Sequence, residues 1–125
     1  MHKKVLIFDD DPDLLDICSL ILQQKNFDIV TRENCVDLLT HVAAFNPGVI
    51  IMDCRIPDIG GIKAVQLIKE DSRFRHIPVI LFSGNNNIAE QAREAGAEFY
   101  LNKPFDISEL EATVGNALTF YSVQS

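Results

Sequence analysis

Three short, unbroken runs of apolar residues restrict the folds open to this chain more than any other feature. They lie at 5–8 (VLIF), 49–52 (VIIM) and 79–82 (VILF). Runs of this length, rich in β-branched and aromatic residues, are typical of strands buried on both faces, as in a parallel sheet covered by helices. Weaker strands are predicted near 27–30 and 98–101. The sequence therefore predicts five strands.

Helix-length amphipathic stretches separate these strands. The five helices are predicted after Asp11-Pro12, over 33–45, after Gly60-Gly61, over about 87–95 and from Asp106 onward. Asp11 is a capping residue ahead of proline at the first helical position, and Gly96 stands where a left-handed C-terminal cap belongs. The spacing from Asp106 to Glu109 is a variant of the capping box. Apolar sides are predicted from Val36, Leu39, Val42 and Ala43 on the second helix, and from Ile107, Leu110, Val114 and Leu118 on the fifth.

Strands that alternate with helices predict a parallel sheet with right-handed crossovers and helices on both faces. We therefore expect an α/β fold of flavodoxin-like type, a three-layer doubly wound (βα)5 sandwich whose five-stranded parallel sheet has the order 2-1-3-4-5. A chain of 125 residues is long enough to bury its own core. Residues 1–125 are expected to form a single domain that needs no disulfide or structural metal.

The composition is acidic, with 11 Lys and Arg against 18 Asp and Glu and a net charge of −7. Scattered basic residues offer no surface for phosphate backbones, so we expect no direct nucleic-acid binding. No apolar run approaches the roughly 18 residues of a membrane span or forms a signal peptide, which predicts a cytoplasmic protein without membrane contact. Cys18, Cys35 and Cys54 lack metal-ligand spacing and are expected to be reduced, two of them in the core.

Polar residues follow four of the five predicted strands. Asp9 and Asp10 follow the first, Asp53 the third and Ser83 the fourth, and Lys103 comes one residue after the fifth. In an open parallel sheet these positions share the carboxyl edge, where ligands bind at the point at which strand order reverses. We expect the five side chains to converge there.

Three carboxylates in one crevice repel one another, and a divalent cation would relieve that repulsion. Mg²⁺ prefers octahedral oxygen coordination and typically takes one or two carboxylates together with a phosphate, and Mn²⁺ could substitute for it. Lys103 would be a second cation for the same small anion, and Ser83 a hydroxyl donor. A carboxylate nucleophile with these neighbours is equipped for phosphoryl transfer to an aspartate.

Four segments at these strand ends carry a family resemblance. They are FDDDPD at 8–13, MDCRIPDIGG at 52–61, FSG at 82–84 and YLNKPF at 100–105. In this order the segments resemble the receiver domain of two-component response regulators, and the likeness extends over about residues 4–120. The resemblance implies a phosphorylation-activated signalling switch. Such a switch is not a conventional enzyme, although it takes part in its own Mg²⁺-dependent phosphorylation and dephosphorylation.

The resemblance assigns roles at the phosphorylation site. Asp53 would accept a phosphoryl group from a sensor histidine kinase or a phosphotransfer protein. Asp10 and Asp53 would ligate Mg²⁺ directly, Asp9 partly through water, and the backbone carbonyl of Arg55 would be a further ligand. Lys103 would pair with the phosphate.

Further roles are implied around the site. Ser83 would move to bond the phosphoryl group while Tyr100, an aromatic switch, turns inward and changes the surface of the fourth helix, fifth strand and fifth helix. Pro104 matches the cis-peptide position of the family. Arg55 and Asn85 occupy the places where the family varies and tunes phosphoryl lifetime.

The expected output is the binding of another, unidentified protein. Receivers that dimerise next to winged-helix domains carry an acidic residue just before the aromatic switch, where this chain has Phe99. Residues 106–120 contain no Lys or Arg to complete that dimer, so a monomer or weak dimer is expected. With the chain ending at Ser125, we expect a stand-alone receiver or a fragment of a longer regulator or hybrid kinase.

Two alternatives stay open and two are excluded. A haloacid-dehalogenase-like phosphatase also combines aspartate, Ser or Thr, Lys and Mg²⁺, although its nucleophile follows the first strand. A constitutive binding module with a degenerate pocket is the other open alternative. An EF-hand is excluded because Leu14 and Leu20 stand where the Gly and the bidentate Glu belong. An FMN site is excluded because three aspartates would repel the FMN phosphate.

Overall fold

The computed structural model describes residues 3–124, with side chains through residue 120. Within that range strands and helices alternate along the chain. Their bounds are β1 Lys4–Phe8, α1 Pro12–Gln23, β2 Asp28–Arg32, α2 Leu38–Phe45, β3 Val49–Asp53, α3 Gly61–Glu70, β4 Val79–Ser83, α4 Ile88–Ala95, β5 Phe99–Asn102 and α5 Ile107–Gln124. No helix among the described residues is both long enough and apolar enough to cross a membrane.

The strands form one parallel sheet in the order β2-β1-β3-β4-β5, which confirms the predicted fold class. The register aligns the carboxyl ends of the central strands, with Phe8 opposite Met52 and Asp53 opposite Phe82. Residues that follow these strands therefore emerge at one edge of the sheet. Since β1 and β3 are neighbours although α1, β2 and α2 separate them in sequence, the strand order reverses between them.

Two apolar clusters sandwich the sheet. Alternate residues of a strand enter opposite clusters, as Leu6 packs on the side of α3 while Ile7 packs on the side of α1 and α5. Both residues are at most 1% exposed, and every residue of β3 and β4 is buried. The apolar runs are unbroken because both faces of these strands are covered by helices.

Three predicted helix ends are confirmed. The side chain of Asp11 accepts hydrogen bonds from the backbone of Asp13 and Leu14, so it caps α1. At the start of α5, the backbone nitrogens of Asp106 and Glu109 each donate to the other's carboxylate, at 3.1 and 2.8 Å. Gly96 ends α4 in the left-handed conformation, with φ +88°.

The predicted start of the second helix at residue 33 is wrong, because α2 begins at Leu38. Asn34 accepts a hydrogen bond from the Val36 backbone in a side-chain turn, and Asp37 adopts a left-handed φ of +55° that interrupts any helix. The backbone nitrogen of Cys35 donates instead to Pro57, a partner distant in sequence.

Two predicted apolar sides also need correction. Val36, which precedes α2, and Ala43, which lies within it, are exposed, whereas Leu38 and Val42 are buried. On α5, Ile107 is 57% exposed, whereas the predicted inward residues Leu110 and Val114 are fully buried and Leu118 packs against the core while partly buried. Val36 precedes α2 and Ile107 is the first residue of α5, and at such positions helical spacing does not yet determine the direction of a side chain. Ala43 lies within α2, on the side opposite to the core.

The three cysteines are free thiols, and Cys18 and Cys35 lie in the core as predicted. Burial raises the pKa of Cys18 to about 11 and that of Cys35 to about 12, so both stay protonated near neutral pH. Cys54 is half-buried, and burial raises its pKa as well.

Candidate functional site

Three aspartates meet at the carboxyl edge of the sheet. Asp9 and Asp53 are 1% and 5% exposed, whereas Asp10 lies open to solvent. One carboxylate oxygen from each of the three lies within 4.8 Å of the others. The register of β1 and β3 brings them together, because Asp9 directly follows β1 and Asp53 ends β3.

Lys103 bridges the two buried carboxylates. Its Nζ donates to Asp9 Oδ2 at 2.8 Å and to Asp53 Oδ1 at 2.9 Å. The other Asp9 oxygen accepts the backbone N–H of Asp11 at 3.0 Å. The backbone nitrogen of Lys103 donates to the carbonyl of Ser83, and the peptide bond to Pro104 is cis, as the resemblance implied.

Burial and the neighbouring charged groups shift the pKa values of Asp53 and Lys103. Burial raises the pKa of Asp53; the hydrogen bond from Lys103 opposes that rise, and the negative charges of Asp9 and Asp10 add to it. Burial alone would lower the pKa of Lys103, but the hydrogen bonds to Asp9 and Asp53 and the negative charges of the two carboxylates together outweigh burial and raise the pKa. Lys103 therefore stays protonated between the two aspartates.

A cavity of about 310 Å³ opens beside Asp53. It is lined by Asp53, Cys54, Arg55, Ser83, Gly84, Asn85 and Lys103. Of the three aspartates in the cluster, only Asp53 lines this cavity. Arg55 and Asn85, which sequence reasoning linked to phosphoryl lifetime, lie on the same cavity wall.

Sequence reasoning missed Gln91, which contacts the buried hydroxyl of Ser83. Ser83 Oγ donates to Gln91 Oε1 at 3.1 Å and accepts the backbone N–H of Asn85 at 3.1 Å. The only sequence signal for Gln91 is its spacing on α4, three residues after buried Ile88 and one before buried Ala92. That spacing predicts that the Gln91 side chain lies on the side of α4 that faces the sheet, but it does not predict the contact with Ser83.

Gly61 is a second residue whose role the sequence did not reveal. It begins α3 beneath the loop that carries Asp53, and its backbone nitrogen donates to the Cys54 carbonyl at 3.0 Å. A Cβ atom at this position would lie 2.7 Å from Cys54 Cα and collide with the Asp53 carbonyl oxygen. Only glycine lets the helix approach the Asp53 loop so closely.

Tyr100 does not join this cluster. Its side chain is 49% exposed on the edge strand β5, where it pairs in register with Leu81. Its neighbour Phe99 packs edge-on against Phe120 of α5, with ring centroids 5.3 Å apart. Phe99 thus contributes to the packing of α5 on the sheet.

The donor set fits a hard divalent cation. Asp9, Asp10 and Asp53 offer carboxylate oxygens, the ligand type that Mg²⁺ prefers, from positions close enough for one ion. Lys103 pairs with Asp9 and Asp53, whereas the third carboxylate of the cluster, Asp10, is open to solvent and accessible to a metal ion.

Comparison with known proteins decides the family. Residues 5–115 match the response regulator receiver domain. The chain belongs to this family. Receiver domains are phosphorylation-activated switches of two-component systems, they bind Mg²⁺ in an acidic pocket, and they are not generally classed as enzymes. Membership of this family favours the function of a receiver domain over that of a haloacid-dehalogenase-like phosphatase.

Individual relatives of this receiver domain vary in length. Protein PilG of Pseudomonas aeruginosa is 31% identical over 109 residues, which cover 86% of this chain and 81% of PilG. The DNA-binding dual master transcriptional regulator RpaA of Synechocystis is 30% identical, over 89% of this chain and 47% of RpaA. This chain thus spans about half the length of several curated relatives. The receiver domain protein of Methanospirillum hungatei has the same fold, with a TM-score of 0.89, 20% identity and full coverage of both chains.

Proposed function

We propose that this receiver is phosphorylated on Asp53 by a sensor histidine kinase or a phosphotransfer protein. An oxygen of the Asp53 carboxylate would attack the phosphorus of a phosphohistidine, the P–N bond would break, and the imidazole would leave with its electron pair. One observation carries this proposal: Asp53 alone of the clustered aspartates lines the cavity. The Lys103 ammonium lies 2.9 Å from Asp53 Oδ1. The same ammonium can then neutralise a phosphoryl oxygen.

Mg²⁺ would be held by Asp10 and Asp53, by Asp9 partly through water, and by the backbone carbonyl of Arg55. When bound, the ion offsets the negative charge of the carboxylates and of the phosphoryl oxygens, and Mn²⁺ could take its place. The carboxylate cluster supports this assignment. Buried Asp9 is held by Lys103 and by the Asp11 backbone, so it positions the ammonium while exposed Asp10 faces the solvent side.

The output would pass through Ser83 and Tyr100. Ser83 would donate to a phosphoryl oxygen, and the half-exposed Tyr100 ring would turn inward and change the face of α4, β5 and α5 for a protein partner.

We also propose that residues 1–125 act as one cytoplasmic domain, as a monomer or weak dimer, without direct contact with nucleic acid or membrane. Arg55 and Asn85 would tune the lifetime of the phosphoryl group from the cavity wall.

The mass of the intact protein after incubation with acetyl phosphate tests the acceptor. The wild type should gain one phosphoryl adduct with Mg²⁺ and none with a chelator, and Asp53→Asn should gain none. Asp58→Asn is the matched control, because Asp58 lies in the same loop, is exposed and does not line the cavity. Its left-handed φ of +95° is one that asparagine tolerates, so this variant should be phosphorylated like the wild type.

Other outcomes would replace the proposal. An adduct that persists in Asp53→Asn would move the acceptor to another residue. Absence of any adduct, together with no binding of beryllofluoride, would indicate a constitutive binding module with a degenerate pocket. Steady release of phosphate by the wild type without an adduct would favour the phosphatase.

A further inference from the structure

The Ser83 hydroxyl already makes two hydrogen bonds before any phosphoryl group arrives. It is 3% exposed, its oxygen accepts the backbone N–H of Asn85, and its hydrogen is donated to Gln91 Oε1 at 3.1 Å. A serine hydroxyl carries one donor hydrogen. Ser83 can therefore donate to Gln91 or to a phosphoryl oxygen on Asp53, but not to both.

Gln91 also connects this hydroxyl to α4. Among the described residues, two side-chain hydrogen bonds tie α4 to other elements: Ser83 to Gln91, and Gln66 Nε2 of α3 to the Glu94 carbonyl at 3.1 Å. The capping residue Asn87 makes no side-chain cap, so the first turn of α4 lacks that anchor. Loss of the Ser83 contact would leave the first half of α4 without a side-chain hydrogen bond to the sheet.

We propose that Gln91 is a positioning residue that competes with the phosphoryl group for the Ser83 hydrogen and so holds the unphosphorylated state. Phosphorylation of Asp53 draws the Ser83 hydroxyl away from Gln91 and releases the start of α4 for rearrangement toward a partner. This inference rests on the proposed phosphorylation of Asp53. The competition assigns a stabilising contact to the inactive state, and the phosphoryl group shifts the equilibrium only by its differential interaction with the two states.

The test is the affinity for beryllofluoride, a phosphoryl mimic, measured by calorimetry at saturating Mg²⁺. Gln91→Met removes the acceptor while nearly keeping the side-chain volume. It should bind beryllofluoride about fivefold more tightly than the wild type, the equivalent of one ordinary hydrogen bond. Its affinity for Mg²⁺ alone should be unchanged, because Ser83 is not among the clustered carboxylates. A merely structural change in α4 would not separate the two affinities in this way.

Three control variants separate competition from general loosening of α4. Gln66→Met removes the other tie to α4 and should leave beryllofluoride affinity at the wild-type value. Gln91→Glu keeps an oxygen acceptor and should show no gain. In a Ser83→Ala background, Gln91→Met should have no further effect, because residues that act through one hydrogen bond are not additive.

The inference is overturned if Gln91→Met binds beryllofluoride no more tightly than the wild type. An equal gain in Gln66→Met, or a gain that persists without the Ser83 hydroxyl, would overturn it too. Failure of the proposed function gives a different result, since the wild type itself would then bind no beryllofluoride.

Discussion

At the scale of single residues, Lys103 allows two nearly buried carboxylates to lie side by side. Its ammonium contacts both Asp9 and Asp53, yet the pKa of Asp53 is still raised, because burial, together with the negative charges of Asp9 and Asp10, outweighs the attraction. In its charged, metal-free form Asp53 therefore lowers the stability of the fold. Functional sites commonly carry such a cost, since groups arranged for chemistry are not arranged for stability.

We expect Asp53→Asn to stabilise the metal-free protein by about 1 kcal/mol at pH 7. The amide keeps the shape of the side chain and removes the buried charge. The sign of the pH dependence follows from the raised pKa. Below the ordinary value of 3.8, Asp53 is protonated in both folded and unfolded states, and its penalty appears as the pH rises through the folded-state pKa. The advantage of the variant should therefore shrink as the pH falls toward 3.8.

Urea unfolding in the presence of a chelator, between pH 3.5 and 7, measures this difference. Asp10→Asn is the control, because it removes an exposed carboxylate of the same cluster and should change stability by less. A lower stability of Asp53→Asn at pH 7 would mean that the attraction of Lys103 outweighs burial, and the account of the Asp53 pKa would be wrong.

The residues directly at strand ends could be predicted from the sequence because the sheet register leaves them no other location. Asp9 directly follows β1, Asp53 ends the adjacent β3, and Lys103 directly follows β5. Gln91 could not be predicted, because its contact with Ser83 depends on the rotation of α4 about its own axis. The sequence period indicates which side of a helix is buried but not which strand residue a polar side chain on its border will contact.

At the scale of elements, alanine substitutions of two helix glycines should change the stability of the fold in opposite directions. One glycine lies at the start of its helix and the other in the middle. At Gly61 of α3 a Cβ would lie 2.7 Å from Cys54 Cα, whereas at Gly115 of α5 nothing lies within 4 Å. Gly61→Ala should destabilise the fold by about 3 kcal/mol, because backbone atoms must shift to admit the methyl group. Gly115→Ala should stabilise it by about 1 kcal/mol through helix propensity.

Thermal unfolding of the two variants and the wild type measures both changes in stability. Gly61→Ala should also lower the rate of phosphorylation by acetyl phosphate, since the shift displaces the loop after Asp53, while Gly115→Ala should not. A neutral Gly61→Ala would show that α3 can move away from the loop without cost.

The helices themselves differed in how well the sequence predicted them. The ends of α1, α4 and α5 rest on local chemistry, namely a capping aspartate, a left-handed glycine and a reciprocal capping box, and these were correctly predicted. The late start of α2 reflects the Asn34 side-chain turn and the left-handed Asp37, together with the hydrogen bond from Cys35 to Pro57, which joins two loops. Contacts of that kind arise only when the chain has folded, so helical spacing alone placed the start too early.

At the scale of the whole molecule, the two ends of the sheet carry different groups. The carboxyl end holds the aspartates and Lys103, whereas an ion pair between Lys69 and Glu98 lies toward the amino end, near the starts of β4 and β5. Lys69 Nζ donates to Glu98 Oε2 and to the Ile77 carbonyl, each at 2.6 Å, and Glu98 Oε1 accepts the backbone N–H of Val79 at 2.9 Å. This network ties α3 to the starts of β4 and β5, remote from the aspartate cluster.

We expect Lys69→Met to destabilise the protein by about 3 kcal/mol, because it removes the ammonium that pairs with the Glu98 carboxylate, 15% exposed, and that donates to the Ile77 carbonyl. Lys25→Met is the matched control: the Lys25 to Glu111 pair spans 3.9 Å with 58% and 32% exposure and should contribute less than about 0.5 kcal/mol. Denaturant unfolding measures both. Phosphorylation by acetyl phosphate below the unfolding transition should stay at the wild-type rate in each variant, since neither lysine lines the cavity beside Asp53. A slower rate in Lys69→Met at full folding would show that the two ends of the sheet are coupled.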